Sequence, residues 1–153
     1  MGTETERKYV INTDQFPKEH PVCIKQGFIS TNKSRVVRVR IADEKASLTI
    51  KSGGNALTRR EFEYSIPLKE AIELLDEVCL QPVIDKTRYT TNHKGLTWEV
   101  DVFHGQNEGL IVAEVELENE NQEFEVPSWV KKEVTGDERY YNVNLVKRPF
   151  TRW

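Results

Sequence analysis

Like-charged residues recur two apart along this chain, a spacing that puts both side chains on one face of a β-strand. Glu4 and Glu6 with Lys8 form one such set; Arg38 with Arg40, Glu61 with Glu63, Lys86 with Arg88, Glu99 with Asp101, and Glu114 with Glu116 form others. Lys51 opposes Leu48 and Ile50 in the same way. The intervening positions are apolar: Val37, Val39 and Ile41; Phe62, Tyr64 and Ile66; Trp98, Val100 and Val102; Ala113, Val115 and Leu117. Like charges on one strand face repel and cost stability unless something neutralises them. Divalent cations would neutralise the carboxylates, which are hard oxygen ligands suited to magnesium or manganese. Phosphates would neutralise the basic residues, and Arg forks with Lys point charges suit a dense linear polyanion such as a triphosphate. A metal ion there would offset phosphate charge and activate a water for in-line attack. The competing arrangement is a sheet or sandwich whose charged faces meet water, the commoner situation for any one strand.

The alternation predicts eight strands, at Thr3–Ile11, Val22–Ser30, Ser34–Ile41, Ala46–Lys51, Arg60–Ile66, Lys86–Thr91, Leu96–Phe103 and Leu110–Glu118. Gly53-Gly54-Asn55, Asn92-His93-Lys94-Gly95 and Gly105-Gln106-Asn107 supply turn chemistry between them. Eight strands are enough to close a barrel. A helix is predicted over Leu68–Cys79, with Pro67 at the first-turn position that tolerates it and Leu68, Ala71, Ile72, Leu75 and Cys79 on one stripe. A short helix is expected over Ser128–Val134, stopping at Gly136, and another turn or two over Asn142–Lys147. The fold class is therefore α+β: an eight-stranded antiparallel closed β-barrel with a charged interior and a few flanking helices.

A length of 153 residues fits one domain covering 1–153. Hydrophobic residues make up 37% and charged residues 31%, a polar but foldable balance. The net charge of −3, from 22 basic and 25 acidic residues, lacks the basic excess of a nucleic-acid binder. No apolar run approaches the roughly 20 residues needed to cross a bilayer, and residues 1–8 are polar rather than signal-like. A cytoplasmic protein without membrane contact is expected, as a monomer or homodimer. Cys23 and Cys79 lack metal-ligand spacing and read as free thiols in a reducing compartment. His20, His93 and His104 lie near turn signals without paired spacing, which argues against a histidine metal site. No glycine-rich loop ends in Lys-Ser/Thr, so the common phosphate cradle at a helix start is missing.

Glu4-Thr5-Glu6-Arg7-Lys8 resembles the ExExK signature of the CYTH superfamily, the triphosphate tunnel metalloenzymes. The resemblance continues through Arg38-Val39-Arg40, Thr49-Ile50-Lys51, Glu61-Phe62-Glu63, Lys86-Thr87-Arg88-Tyr89, Glu99-Val100-Asp101-Val102-Phe103 and Glu114-Val115-Glu116, and ends at Val134-Thr135-Gly136-Asp137-Glu138-Arg139-Tyr140. Motifs in this order span nearly the whole chain, which in its compactness is similar to the short bacterial inorganic tripolyphosphatases. The resemblance implies a barrel with the charged faces inward. It implies Mg2+ or Mn2+ held by Glu4, Glu6, Asp101, Glu114 and Glu116, and phosphates held by Lys8, Arg38, Arg40, Lys51, Arg88 and Arg139. Glu61 and Glu63 would be further acidic wall, supporting the first ion or holding a second, whereas Glu99 and Arg7 read as surface or rim charges.

One position departs from the pattern. The short bacterial relatives carry a tyrosine in the second strand, proposed to work with a lysine in activating water. Here Gln26-Gly27-Phe28 puts phenylalanine there, while Lys86 matches the catalytic lysine. The expected activity is metal-dependent hydrolysis of inorganic triphosphate. The alternatives are an adenylate cyclase of the same family, a hydrolase of nucleoside or thiamine triphosphate, and a noncatalytic polyphosphate-binding module. No base-recognition element stands out to favour the cyclase, and so many carboxylates would weaken simple anion binding.

Overall fold

The computed structural model describes residues 2–54 and 58–153, with the side chains of residues 2–4 and 54 outside that description. Eight strands follow the predicted alternation closely: Gly2–Val10 (β1), Val22–Asn32 (β2), Arg35–Ala42 (β3), Lys45–Gly54 (β4), Thr58–Ser65 (β5), Ile84–His93 (β6), Leu96–Phe103 (β7) and Ile111–Glu116 (β8). The turn expected at Gly53-Gly54-Asn55 lies partly outside the described residues. All pairings are antiparallel, in the order β5-β4-β3-β2-β6-β7-β8-β1, and residues 2–5 of β1 pair back onto β5 to close the ring. Closure gives every strand two partners and leaves one face of each pointing into the lumen.

The apolar faces point outward and are covered over most of the barrel, while Ile50 of β4 and Tyr64 of β5 stay exposed. Helix α1, Leu68–Glu77, lays Ala71 and Leu75 over Val39, with Cys79 just beyond its end. Leu68 and Ile72, expected on the same stripe, are exposed, because α1 touches the barrel along a narrower line. The close approach also explains Gly27. A Cβ there would come within 2.8 Å of Cys79 Cβ and 3.0 Å of Leu75 Cδ2, so only glycine lets the helix seat. On the other side, Trp98 is fully buried among Tyr9, Phe124 and Trp129, with ring centroids 5.4, 6.2 and 5.8 Å away. Burial of a large aromatic side chain stabilises by about 3 kcal/mol, so this cluster anchors the segments before and after β8.

The helix expected over Ser128–Val134 does not form. Residues 128–129 make a turn and Lys132–Glu133 is a short strand, β9, paired with β1. The cause is an open edge: β5 covers only residues 2–5 of β1, and the rest needs partners. The N–H groups of Lys131 and Val134 supply them, donating to the carbonyls of Val10 at 3.0 Å and Lys8 at 2.8 Å. The chain then forms helix α2 over Asn142–Lys147, where a turn or two was expected. Leu145 and Val146 of α2 are buried against Phe28, Val36, Ile84, Phe103, Leu110 and Val112. The C-terminal segment thus plugs one end of the lumen with an apolar seal and leaves the charged stretch beside it.

Candidate active site

Inside the ring, strand register turns sequence pairs into a charged wall. Glu6 stands opposite Glu116 and Lys8 opposite Glu114 between β1 and β8. Gln26 faces Arg40, and Phe28 faces Arg38, between β2 and β3. Lys51 faces Glu61 across β4 and β5, and Arg88 faces Asp101 across β6 and β7. The cavity inside the barrel measures about 990 Å3, and its lining includes Glu6, Lys8, Arg38, Arg40, Lys51, Glu61, Glu63, Lys86, Arg88 and Glu114. That is the upper end of the usual range for small-molecule sites, with room for a ligand and its water. The sandwich alternative fails on this point: the charged faces look inward.

Asp101 organises the basic side of the lumen. Its Oδ1 and Oδ2 accept from Arg88 Nε at 2.7 Å and Nη2 at 2.9 Å, and Oδ2 also pairs with Lys86 Nζ at 2.7 Å. Burial alone would raise the Asp101 pKa, but the two cations outweigh it and hold the carboxyl well below the usual range. The converse holds at Arg88, where burial is outweighed chiefly by Asp101 and the guanidinium is held above its ordinary value. Lys86 is pushed down to about 7, first by burial and then by Arg88 and Arg40, with Asp101 opposing. Arg40 is likewise lowered, to about 9, by burial and by Arg38 and Arg88, and stays cationic at neutral pH. These cations repel one another and gain most from an anion among them. Arg38 Nη2 donates to Thr49 Oγ1 at 3.2 Å, and Thr49 Oγ1 donates to Glu63 Oε1 at 3.2 Å, so the two signs are stitched together across β3, β4 and β5.

The acidic side gathers on β1 and β8. The Glu6 and Glu114 carboxyls both face the cavity and influence each other's ionisation. Burial raises the Glu114 pKa, but Lys8, the Glu6 contact and Arg88 bring it down to about 2. Glu116 is more exposed, at the end of β8 beside Glu6. This donor set fits a hard divalent cation, although no three His, Cys, Asp or Glu side chains among the described residues are gathered closely enough to enclose one. Glu4 shares the strand face of Glu6, and its side chain lies outside the described residues.

Three expected site residues, Asp101, Glu116 and Arg139, do not line the cavity. Asp101 is taken up by Arg88 and Lys86, and Arg139 is exposed, paired with Asp137 at 2.8 Å and stacked on Tyr140 and Trp153. Glu99, read from sequence as a rim charge, lines the cavity and pairs with Arg88 at 3.4 Å; burial raises its pKa, against the pull of Arg88. Arg7 does point away from the lumen, to Glu133 at 2.9 Å. Arg59, Gln26 and Asn142 also line the cavity and were not singled out. Arg59 stands two residues before Glu61 on the same face, one residue outside the strand expected from Arg60. The amides carry no charge and gave no signal.

A closed antiparallel barrel with a polyanion-sized, two-signed lumen defines the triphosphate-tunnel class, and the sequence matches the CYTH domain family over residues 2–150. The chain belongs to that family. It is 46% identical over 151 residues to an inorganic triphosphatase of Acetivibrio thermocellus, covering 98% of this chain and 97% of that protein. It is 35% identical over 147 residues to an inorganic triphosphatase of Nitrosomonas europaea, covering 94% and 96%. The crystal structure of the inorganic triphosphatase NE1496 superposes with a TM-score of 0.69 at 33% identity, over 94% of this chain and 97% of that one. A Pyrococcus horikoshii protein at 20% identity, with a TM-score of 0.58 over 77% and 80%, shares the fold.

Proposed function

We propose that this protein is a metal-dependent inorganic triphosphatase that releases phosphate from tripolyphosphate bound in its lumen, working as one domain over the whole chain. One observation carries the reading: Arg38, Arg40, Lys51, Lys86 and Arg88 converge on one cavity inside the barrel that the carboxylates Glu6 and Glu114 also line. Guanidinium forks and ammonium groups along one wall match a chain of phosphates, and desolvation makes each such contact stronger than in water.

Metal dependence is general among CYTH triphosphatases, and Mg2+ or Mn2+ is the ion we assign. Glu6, Glu114 and Glu116, with Glu4, would hold it, and Glu61 and Glu63 would support it or hold a second. When bound, the ion supplies charge neutralisation at the transferred phosphoryl group and acidifies a nearby water. Lys8, Arg38, Arg40, Lys51 and Arg88 bind the phosphates and orient them in line. Arg139 would join them only by leaving Asp137. Lys86 Nζ, with its lowered pKa, can take a proton from the attacking water near neutral pH. Phe28 contributes packing and no proton transfer. Among the described residues no helix is long and apolar enough to cross a membrane, and we place the enzyme in the cytoplasm as a monomer or homodimer.

The test is a phosphate-release panel with tripolyphosphate, ATP and thiamine triphosphate, with Mg2+, Mn2+ or chelator, assayed also for cyclic AMP. Tripolyphosphate turnover that needs an added ion is the expected result. Full turnover after chelation, or cyclic AMP as the main product, would overturn the reading.

A further inference from the structure

Gln26 and Asn142 sit among the lumen's charges without a role in the scheme above. Gln26 is 1% exposed. Its Oε1 accepts from Arg40 Nε at 2.7 Å, and its Nε2 donates to Asn142 Oδ1 at 2.6 Å. The same Asn142 Oδ1 accepts from Lys86 Nζ at 2.9 Å. Chemistry dictates both amide orientations. A guanidinium has only donors, so Gln26 must turn its oxygen to Arg40 and its nitrogen to Asn142. Asn142 must answer with its own oxygen, whose second lone pair then takes Lys86. Flipping either amide would set donor against donor.

The bridge spans distant parts of the chain. Gln26 and Asn142 are 116 residues apart, on β2 and α2, and Asn142 is held in place because Leu145 and Val146 anchor α2 in the apolar plug. At Lys86, Asp101 Oδ2 and Asn142 Oδ1 occupy two of the three hydrogen-bonding positions on Nζ, at 2.7 and 2.9 Å. With two positions fixed from different sides, the third has one direction left.

We propose that Gln26 and Asn142 are positioning residues: an amide bridge from the C-terminal helix that fixes Arg40 and Lys86 relative to each other and aims the third position of Lys86 Nζ. The inference rests on the triphosphatase reading for what the aimed group then does. A positioning bridge acts on turnover more than on substrate retention, because misplacing a reacting group by a fraction of an ångström lowers the rate without removing a phosphate contact.

The experiment is a double-mutant cycle of Gln26→Leu and Asn142→Leu, with Asn142→Asp beside it, read as kcat and KM for tripolyphosphate with Mg2+. Tripolyphosphate affinity in chelator is measured by calorimetry on the same proteins. Each Leu variant should lower kcat about 10-fold or more, with a smaller change in KM. The double variant should be no worse than about 3-fold below the slower single one, since cutting either end releases the same bridge. Asn142→Asp keeps an acceptor oxygen toward both Gln26 and Lys86, and because its charge favours protonated Lys86 its kcat is read on the alkaline plateau of the pH–rate profile, where it should stay within about 3-fold of the native enzyme while KM rises. Additive losses, a kcat unchanged within about twofold in both Leu variants, or an Asp variant as slow as Leu would each overturn the bridge. Should the native enzyme release no phosphate with any ion, the triphosphatase reading falls. The same cycle in melting temperature then decides the bridge, with coupled losses supporting it and additive or absent ones overturning it. If the Leu variants do not fold, Gln26→Met and Asn142→Ala remove the same groups with less bulk and run the same cycle.

Discussion

Replacing Asp101 by Asn tests whether this carboxylate is the counter-ion of the basic wall. Asn keeps the shape but removes the charge that pairs Arg88 at 2.7 Å and Lys86 at 2.7 Å, all within a site where Asp101 is 2% and Lys86 1% exposed. Breaking a buried ion pair from one side costs about 3–5 kcal/mol, because the partner charge stays buried. For a chain of this length each kcal/mol lowers the melting temperature by about 2–4 °C, so Asp101→Asn should melt about 6–20 °C below the native protein. Added tripolyphosphate should recover much of that loss, since its phosphates can face the two orphaned cations, and its stabilising shift should exceed the shift it gives the native protein. The assay is thermal unfolding at neutral pH, with and without tripolyphosphate, without metal. Linkage adds a sign. The folded-state pKa of Asp101 is depressed, so its contribution is present above the ordinary value near 3.9 and fades as pH falls below it. The stability gap between native and variant should therefore narrow under acid. A melting temperature within about 2 °C of native would refute the argument. A selective loss of Mg2+ affinity with native stability would make Asp101 a metal ligand instead.

Other outcomes follow from the same geometry. Glu6→Gln and Glu114→Gln should each abolish most turnover at limiting Mg2+, and Glu114→Gln should also lower the apoprotein's melting temperature, because its buried carboxylate answers Lys8 and Arg88; native kinetics in both would remove the ligand assignment. Arg40→Ala should weaken tripolyphosphate binding by about 2 kcal/mol, read by calorimetry, as a buried charge-assisted contact is lost. Lys86 is held at about 7, below its ordinary value near 10.4, so the unfolded chain binds the extra proton between those limits and stability should rise with pH from about 7 to 10. Denaturant midpoints across that range should lose this slope in Lys86→Met, and the rate limb near pH 7 should vanish with it. Phe28→Tyr, restoring a hydroxyl that relatives carry, should raise kcat on tripolyphosphate when Lys86 is present and not in Lys86→Ala; a folded variant with no gain would make Phe28 wall packing alone.

The sequence by itself determined which residues share a face. Alternation at a period of two is a local property of an extended strand, so Arg38 with Arg40 and Glu114 with Glu116 were legible as co-facial pairs, and the eight strands emerged almost at their true bounds. Three things waited for the tertiary structure. Ring closure between β1 and β5 decided that the charged faces look inward, because a strand's own periodicity is the same in a barrel and in a sandwich. Register decided partners: Arg88 opposite Asp101 binds its carboxylate, while Arg139 finds Asp137 and aromatic faces outside the lumen. The uncovered half of β1 drew residues 131–134 into extended pairing where local pattern favoured a helix, because unpaired backbone groups at a strand edge outweigh weak helix propensity. Gln26 and Asn142 were invisible for a related reason. A neutral amide announces nothing by charge or periodicity, and these two acquire meaning only when folding brings them, across 116 residues, between the guanidinium of Arg40 and the amine of Lys86.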